Sequence, residues 1–206
     1  MGDTIMRIVG VILAAGASSR IGKNKLLLPF KHHTVIEEVI YQLSKSDVDN
    51  ILLITGFESR RIEKLIDDNA ADRIRIVFND KYRLGRAESI KCAVKSAGRD
   101  TDALSFMVAD KPTVSSGLIN RAIDMYKQKS PGILYIKTPT GRGHPIIFSK
   151  EFFPELMVLN GDTVGEELIA GYKEKVIELE DDEIQVDIDT QDDYKSILKR
   201  VDKRKS

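Results

Sequence analysis

The chain has 206 residues, of which 42% are apolar and 31% are charged, a composition typical of a globular protein. Its 32 basic and 32 acidic side chains balance, which argues against nucleic acid as a partner. No apolar stretch approaches the ~20 residues that cross a bilayer, and the polar N-terminus does not resemble a signal peptide. The only cysteine, Cys92, cannot form an intrachain disulfide. We therefore expect a cytoplasmic protein without a membrane partner.

Strand and helix patterns alternate along almost the whole chain, which predicts an α/β domain with a mostly parallel sheet. The first half predicts a strand at 7–14, a helix from the cap Thr34 to 44, a strand at 51–55, a helix at 59–67, a strand at 73–78, a loop at 79–85 and a helix at 86–96. The second half predicts a strand at 103–109, a helix from 115 or 116 to 128, a strand at 132–137, a loop at 138–145, a strand at 146–148, helices at 150–158 and 163–170, strands at 176–179 and 184–188, and a terminal helix from 191. Without a repeat or a linker, one domain over 1–206 is expected.

The first predicted strand leads into a loop of small residues that carries Arg20, Lys23 and Lys25. Small side chains let a polyanion approach backbone N–H groups, and the cations balance its charge, so the loop suits the triphosphate of a nucleotide. It is not a Walker loop, because Asn24 stands where serine or threonine should follow the lysine. The alternative is an ordinary connection with solvated cations.

Three aspartates are candidate metal ligands. Asp110 directly follows a buried strand, and ligands of parallel sheets bind at the carboxyl ends of strands. Mg²⁺ binds through one or two carboxylates together with phosphate oxygens. Asp187 and Asp189 alternate with apolar residues and would share one face of the predicted strand. The alternatives are an Asx turn at Asp110 and capping of the last helix by the other acids.

Residues 13–29, with the spacing L-A-A-G-x-S-x-R-x-G-x-x-K-x-L-L-P, resemble the signature of the nucleotidyltransferases that act on the molybdenum cofactor, and most of all the molybdopterin cytidylyltransferases. Residues 109–114 resemble the G-D-x-P-x-V element of that family, residues 187–194 resemble D-I-D-T-P-E-D-Y, and residues 143–148 resemble G-H-P-x-x-F. Two segments depart from the family pattern. The turn at 84–90 lacks the serine-rich S-x-S-L, and no arginine follows Gly165 in the segment that begins at Gly161.

The resemblance implies a three-layer Rossmann-like nucleotidyltransferase fold with a mostly parallel twisted sheet, and transfer of CMP from CTP to the phosphate of molybdopterin with release of pyrophosphate. It implies Mg²⁺ bound by Asp110 and Asp189, with Asp187 as the weaker alternative to Asp189. The implied catalytic residues are Arg20, Lys25 and Asp110. The implied nucleotide-binding residues are Leu13, Ala14, Ala15, Gly16, Ala17, Ser18, Arg20, Lys25, Gly85 and Ser89. Arg142 and His144 are the implied contacts to the second substrate, and a molybdoenzyme is a candidate protein partner.

Two other functions remain open at this point. One is a nucleotidyltransferase of the same fold that uses another nucleoside triphosphate and a sugar-phosphate or polyol-phosphate acceptor, which the altered turn at 84–90 allows. The other is a non-catalytic protein that delivers cofactor to a molybdoenzyme. The presence of both Asp110 and Asp189 argues against the second function, because binding alone tolerates their loss better than catalysis does.

Overall fold

The first strand lies inside the molecule, and its two faces pack against different sets of helices. The computed structural model describes residues 6–16, 24–66, 72–163, 165–183 and 185–203. Ile8 and Ile12 belong to the apolar cluster on one face of the sheet, whereas Val9 and Val11 belong to the cluster on the other face. Side chains alternate across a strand, so a strand that is covered on both faces must be apolar throughout.

The strands are β1 (Ile8–Ala14), β2 (Pro29–Phe30), β3 (His33–Thr34), β4 (Asn50–Thr55), β5 (Ile74–Phe78), β6 (Ala103–Val108), β7 (Ile133–Thr138), β8 (Gly141–Ser149) and β9 (Val176–Glu180). The α-helices are α1 (Val35–Ser44), α2 (Ser59–Glu63), α3 (Arg86–Ser96), α4 (Ser116–Lys129), α5 (Phe153–Val158), α6 (Glu166–Gly171) and α7 (Gln191–Lys203). None of the helices within the described residues is long and apolar enough to cross a membrane.

Within the described residues, the main sheet has seven strands in the order β5-β4-β1-β6-β8-β7-β9. Strand β8 runs antiparallel to β6 and β7, and the other neighbouring strands are parallel. Helices α1, α4 and α7 contribute to the apolar cluster on one face, and α3, α5 and α6 to the cluster on the other. This three-layer, mostly parallel arrangement confirms the predicted fold class.

Two predicted elements are wrong. The loop predicted at 138–145 is mostly strand, since β8 begins at Gly141 and pairs with Thr138 after a two-residue turn. The glycines and Pro145 that suggested a loop lie within this strand, at and near a register shift. The strand predicted at 184–188 is absent from the described residues 185–188. There the side-chain amide of Gln185 binds the His144 main chain, and the Ile188 N–H donates to the Asp110 carbonyl at 3.3 Å. These contacts to neighbouring segments replace the main-chain hydrogen bonds of a strand.

Candidate active site

A cleft of about 610 Å³ opens where β1 and β6 end. These strands are parallel neighbours with Leu13 opposite Val108, so the residues that follow them emerge at the same edge of the sheet. The cleft is lined by Leu13, Ala14, Ala15, Gly16, Lys25, Leu26, Tyr82, Arg83, Leu84, Gly85, Arg86, Ser89, Val108, Ala109, Asp110, Asp162 and Asp189.

One ammonium group joins two carboxylates in this cleft. Lys25 Nζ donates to Asp110 Oδ2 at 2.6 Å and to Asp189 Oδ1 at 2.9 Å. The Lys25 and Asp110 side chains are 14% and 17% exposed, whereas Asp189 is 45% exposed. Because both carboxylates contact the same nitrogen, their oxygens cannot be farther apart than these two distances added together. Residues separated by 85 and 164 positions along the chain thus form one charged cluster.

Local structure places Lys25 and Asp189 in this cluster. Lys25 begins a 3₁₀ turn that is capped by Asn24, whose side chain accepts from the Leu26 N–H at 3.1 Å. Asp189 lies two residues before the start of α7. There the Thr190 hydroxyl accepts from the Asp193 N–H at 3.1 Å, and the Asp193 carboxylate accepts from the Thr190 N–H at 2.8 Å. This reciprocal cap fixes the direction in which the chain enters the helix.

The cluster keeps Lys25 charged. Burial acts to lower the pKa of the Lys25 ammonium, but the charges and hydrogen bonds of Asp110 and Asp189 outweigh it, and the pKa is raised above its usual value. Lys25 is therefore a cation at neutral pH.

The carboxylates also fit a divalent cation. Asp110 Oδ1 is buried and has no hydrogen-bond partner among the described residues, an uncommon state for a carboxylate oxygen that a cation would relieve. Within the same described part of the chain, no group of three or more His, Cys, Asp or Glu side chains is arranged to hold a metal. Two carboxylates beside an open cleft suit Mg²⁺, which commonly shares its coordination shell with substrate phosphates.

The opposite wall of the cleft is built on a close backbone contact. Gly85 has a φ of +115°, and a Cβ there would lie 2.5 Å from the Gly161 carbonyl oxygen. The same carbonyl accepts from the Ala87 N–H at 2.9 Å, and Asp162 Oδ1 accepts from the Arg86 N–H at 3.2 Å. These contacts occupy two of the N–H groups at the start of α3.

Nine of the predicted site residues line the cleft, namely Leu13, Ala14, Ala15, Gly16, Lys25, Gly85, Ser89, Asp110 and Asp189. Ala17, Ser18 and Arg20 lie outside the described residues. Asp187 makes a different contact from Asp189, because its Oδ1 lies 3.1 Å from Lys111 Nζ. The two aspartates contact different lysines, and the prediction that they share one face of a strand fails because residues 185–189 form no strand.

Arg142 and His144, the predicted contacts to the second substrate, are not among the residues that line the cleft. The Arg142 guanidinium lies 5.2 Å from the centre of the Tyr135 ring on an exposed part of the sheet. His144 is only 7% exposed, and its Nδ1 lies 3.1 Å from the Phe106 carbonyl oxygen. The structure therefore gives His144 a position in the protein interior, because β8 carries it onto β6.

The cleft also contains residues that the sequence did not single out as ligands. Tyr82, Arg83 and Leu84 form a 3₁₀ turn before α3, and Asp162 reaches the cleft from a loop between helices. The only local sign of these contacts is the pair of glycines, Gly85 and Gly161, which both adopt positive φ.

Comparisons with known proteins identify the family and several relatives of this chain. A family model described as the MobA-like NTP transferase domain matches residues 10–176. The molybdenum cofactor cytidylyltransferase of Escherichia coli K12 is 27% identical over 184 residues, which span 89% of this chain and 92% of that protein. The purine catabolism protein PucB of Bacillus subtilis 168 is 26% identical over 206 residues, with 94% and 97% covered.

This chain has the fold of a solved structure over nearly the whole length of both proteins. The crystal structure of Rv0371c from Mycobacterium tuberculosis H37Rv has a TM-score of 0.85 at 29% identity and covers 95% of this chain and 100% of its own. The complex of Rv0371c with manganese has a TM-score of 0.79 at 27% identity, with 94% and 99% covered. A divalent metal thus accompanies a protein similar to this one.

Proposed function

The chain belongs to the MobA-like NTP transferase family, and we propose that it transfers CMP from CTP to the phosphate of molybdopterin and releases pyrophosphate. Nucleotidyl transfer follows from family membership, whereas the choice of CTP and molybdopterin is the finer proposal. The L-A-A-G sequence at 13–16 and the similarity to the cytidylyltransferase of E. coli support it. The observation that carries the proposal is the convergence of Lys25, Asp110 and Asp189 in one cleft.

The reaction brings two anions together. A phosphate oxygen of the acceptor attacks the α-phosphorus of the nucleotide, and the bond from that phosphorus to pyrophosphate breaks. A phosphate monoester is ionised near neutral pH, so the attacking oxygen needs no general base from the protein. The obstacles are charge repulsion and alignment, which positioned cations and backbone N–H groups overcome.

The protein's own groups supply these functions. Lys25 would act as a compact positive charge at the α-phosphate, since its ammonium already lies in the cleft. The backbone N–H groups of Ala15, Gly16 and Ala17 would bind the phosphates together with Arg20, whose guanidinium can hold two oxygens at once. Lys25 Nζ has three N–H groups and two of them bind the carboxylates, so the third can contact a phosphate while both ion pairs remain.

Asp110 and Asp189 would be the residues that hold Mg²⁺ beside the nucleotide phosphates. The buried, unpartnered Oδ1 of Asp110 and the manganese complex of Rv0371c support a divalent cation at this position. When bound, Mg²⁺ neutralises phosphate charge and polarises the α-phosphorus. The two carboxylates outnumber the single ammonium of Lys25, so the cluster has a net negative charge that a divalent cation would offset.

The test is pyrophosphate release with CTP, GTP, ATP and UTP, each with and without molybdopterin. We expect release that requires both CTP and molybdopterin, and a loss of at least ~10²-fold in Asp110→Asn, comparable to losing one strong electrostatic contact. Asp192→Asn is the matched control, because Asp192 is 94% exposed on α7 and outside the cleft. Equal rates in Asp110→Asn and wild type would contradict the assigned role of Asp110.

The same assay separates the alternative functions. Release with another nucleotide and a sugar-phosphate or polyol-phosphate acceptor would keep the reaction class and replace the substrates. Tight CTP binding without pyrophosphate release in the presence of molybdopterin would favour a non-catalytic protein that delivers cofactor.

A further inference from the structure

The strand β8 contains an irregularity that lies beside the candidate active site. Its register with β7 shifts between Tyr135, which faces Ile146, and Ile136, which faces Gly143. The shift passes over His144 and Pro145, so that the main chain of His144 has no partner in the β7 ladder. Buried N–H and C=O groups need partners, and a side chain from elsewhere provides them here.

That side chain is the amide of Gln185. Its Oε1 accepts from the His144 N–H at 2.7 Å, and its Nε2 donates to the His144 carbonyl at 2.6 Å. Gln185 is 6% exposed, so both hydrogen bonds are shielded from water. One amide thereby satisfies the main-chain donor and the main-chain acceptor of a single residue, as a neighbouring strand would.

Gly143 is shaped to this contact. A Cβ at Gly143 would lie 2.8 Å from Thr138 Cγ2 and 2.9 Å from both Cδ and Oε1 of Gln185, closer than real Cβ contacts allow. The absence of a side chain at residue 143 therefore lets the amide reach the main chain of β8. The glycine before His144 and the glutamine that binds it form one matched pair, although they are more than 40 positions apart in the chain.

Gln185 lies four residues before Asp189, in the segment that forms no strand. Two further contacts hold the segment near the cleft: the Ile188 N–H donates to the Asp110 carbonyl, and Asp187 pairs with Lys111. Gln185 supplies the two shortest of these hydrogen bonds, and its polar side chain is buried. We infer that Gln185 is a positioning residue that holds the Asp189 carboxylate at Lys25 and Asp110 by fixing its segment to the His144 main chain. This inference rests on the proposed use of Asp189 in nucleotidyl transfer.

The test compares Gln185→Leu, which keeps the side-chain bulk and removes both hydrogen bonds, with Gln42→Leu. Gln42 is a matched control because its amide also makes two hydrogen bonds, to Glu38 and to the Ser116 N–H, outside the cleft. Replacing residues that orient metal-binding carboxylates typically weakens metal binding by about 10–100-fold. We expect a loss of about tenfold or more in Mn²⁺ affinity, measured by electron paramagnetic resonance, in Gln185→Leu and no loss in Gln42→Leu.

A double-mutant cycle separates positioning from a general loss of stability. If Gln185 acts through Asp189, Gln185→Leu lowers kcat in the wild type but causes no further loss in Asp189→Asn. Multiplicative losses, or Mn²⁺ affinity equal to wild type in folded Gln185→Leu, would overturn the inference. Should Gln185→Leu fail to fold, Gln185→Asn shortens the same amide and takes its place in both measurements. Failure of the proposed function is distinct, because Mn²⁺ affinity does not depend on which nucleotide or acceptor is used.

Discussion

His144 is expected to make the folded protein less stable as the pH falls from about 6.5 towards 4. Burial lowers the pKa of His144 from 6.5 to about 4, and the charges of Lys111 and Arg86 also lower it. The Phe106 carbonyl and Asp110 act in the opposite direction and are outweighed. The neutral imidazole suits this site, in which Nδ1 lies at hydrogen-bond distance from the Phe106 carbonyl oxygen.

The size of the effect follows from these pKa values. Between pH 6.5 and 4 the unfolded chain binds a proton at residue 144 that the folded chain does not bind, so the free energy of unfolding falls as the pH falls. The full contribution of His144 to the free energy of unfolding is present above about pH 6.5 and is lost by about pH 4. One pKa unit is worth about 1.4 kcal/mol, so the interval from 6.5 to about 4 corresponds to a loss of about 3 kcal/mol.

Urea unfolding of wild type and His144→Asn, at a series of pH values across this window, measures the contribution. Carboxylates also titrate within this pH range. The useful quantity is therefore the difference in unfolding free energy between wild type and His144→Asn. Asparagine can still donate to the Phe106 carbonyl but cannot take up a proton, and the advantage of wild type should shrink by about 3 kcal/mol from about pH 7 to pH 4. His32→Asn, at an exposed turn, is the matched control. A difference between wild type and His144→Asn that does not vary with pH would refute the reasoning.

Three further predictions concern the cleft. Lys25→Met removes the ammonium from between Asp110 and Asp189, so Mn²⁺ affinity without nucleotide should rise by roughly tenfold in calorimetric titrations; unchanged affinity would mean that the lysine does not compete with the metal. Gly85→Ala should lower the free energy of unfolding in urea by about 2 kcal/mol or more, through positive φ and the clash with the Gly161 carbonyl; wild-type stability would show that the backbone can relax there. Excess chelator should abolish pyrophosphate release and added Mg²⁺ should restore it, whereas full activity in chelator would rule out the metal.

Features that depend on neighbouring residues could be predicted from the sequence. The Thr34 side chain and Glu37 form the predicted capping box at the start of α1, because both partners lie within one turn. The apolar runs of β1 and β6 predicted buried parallel strands, and parallel strands end at one edge of the sheet. The placement of Lys25 and Asp110 at that edge follows from the same rule.

Features that depend on distant segments could not be predicted. Periodicity put Asp187 and Asp189 on one face, but the segment forms no ladder, and the two carboxylates contact different lysines. A motif with two glycines and a proline indicated a loop at His144, whereas the pairing of β8 with β6 and β7 makes it a buried strand with a register shift.

The sequence by itself determined most of the segments that become strands and helices, and which charged residues follow the strands at the open edge. These properties come from local periodicity, capping and chain direction, and they need no knowledge of distant partners. Only the tertiary structure decided that Asp189 contacts Lys25, that His144 is buried, and that Gln185 binds its main chain. Each of these contacts joins segments at least 38 positions apart, and their geometry depends on how strands, helices and loops pack together.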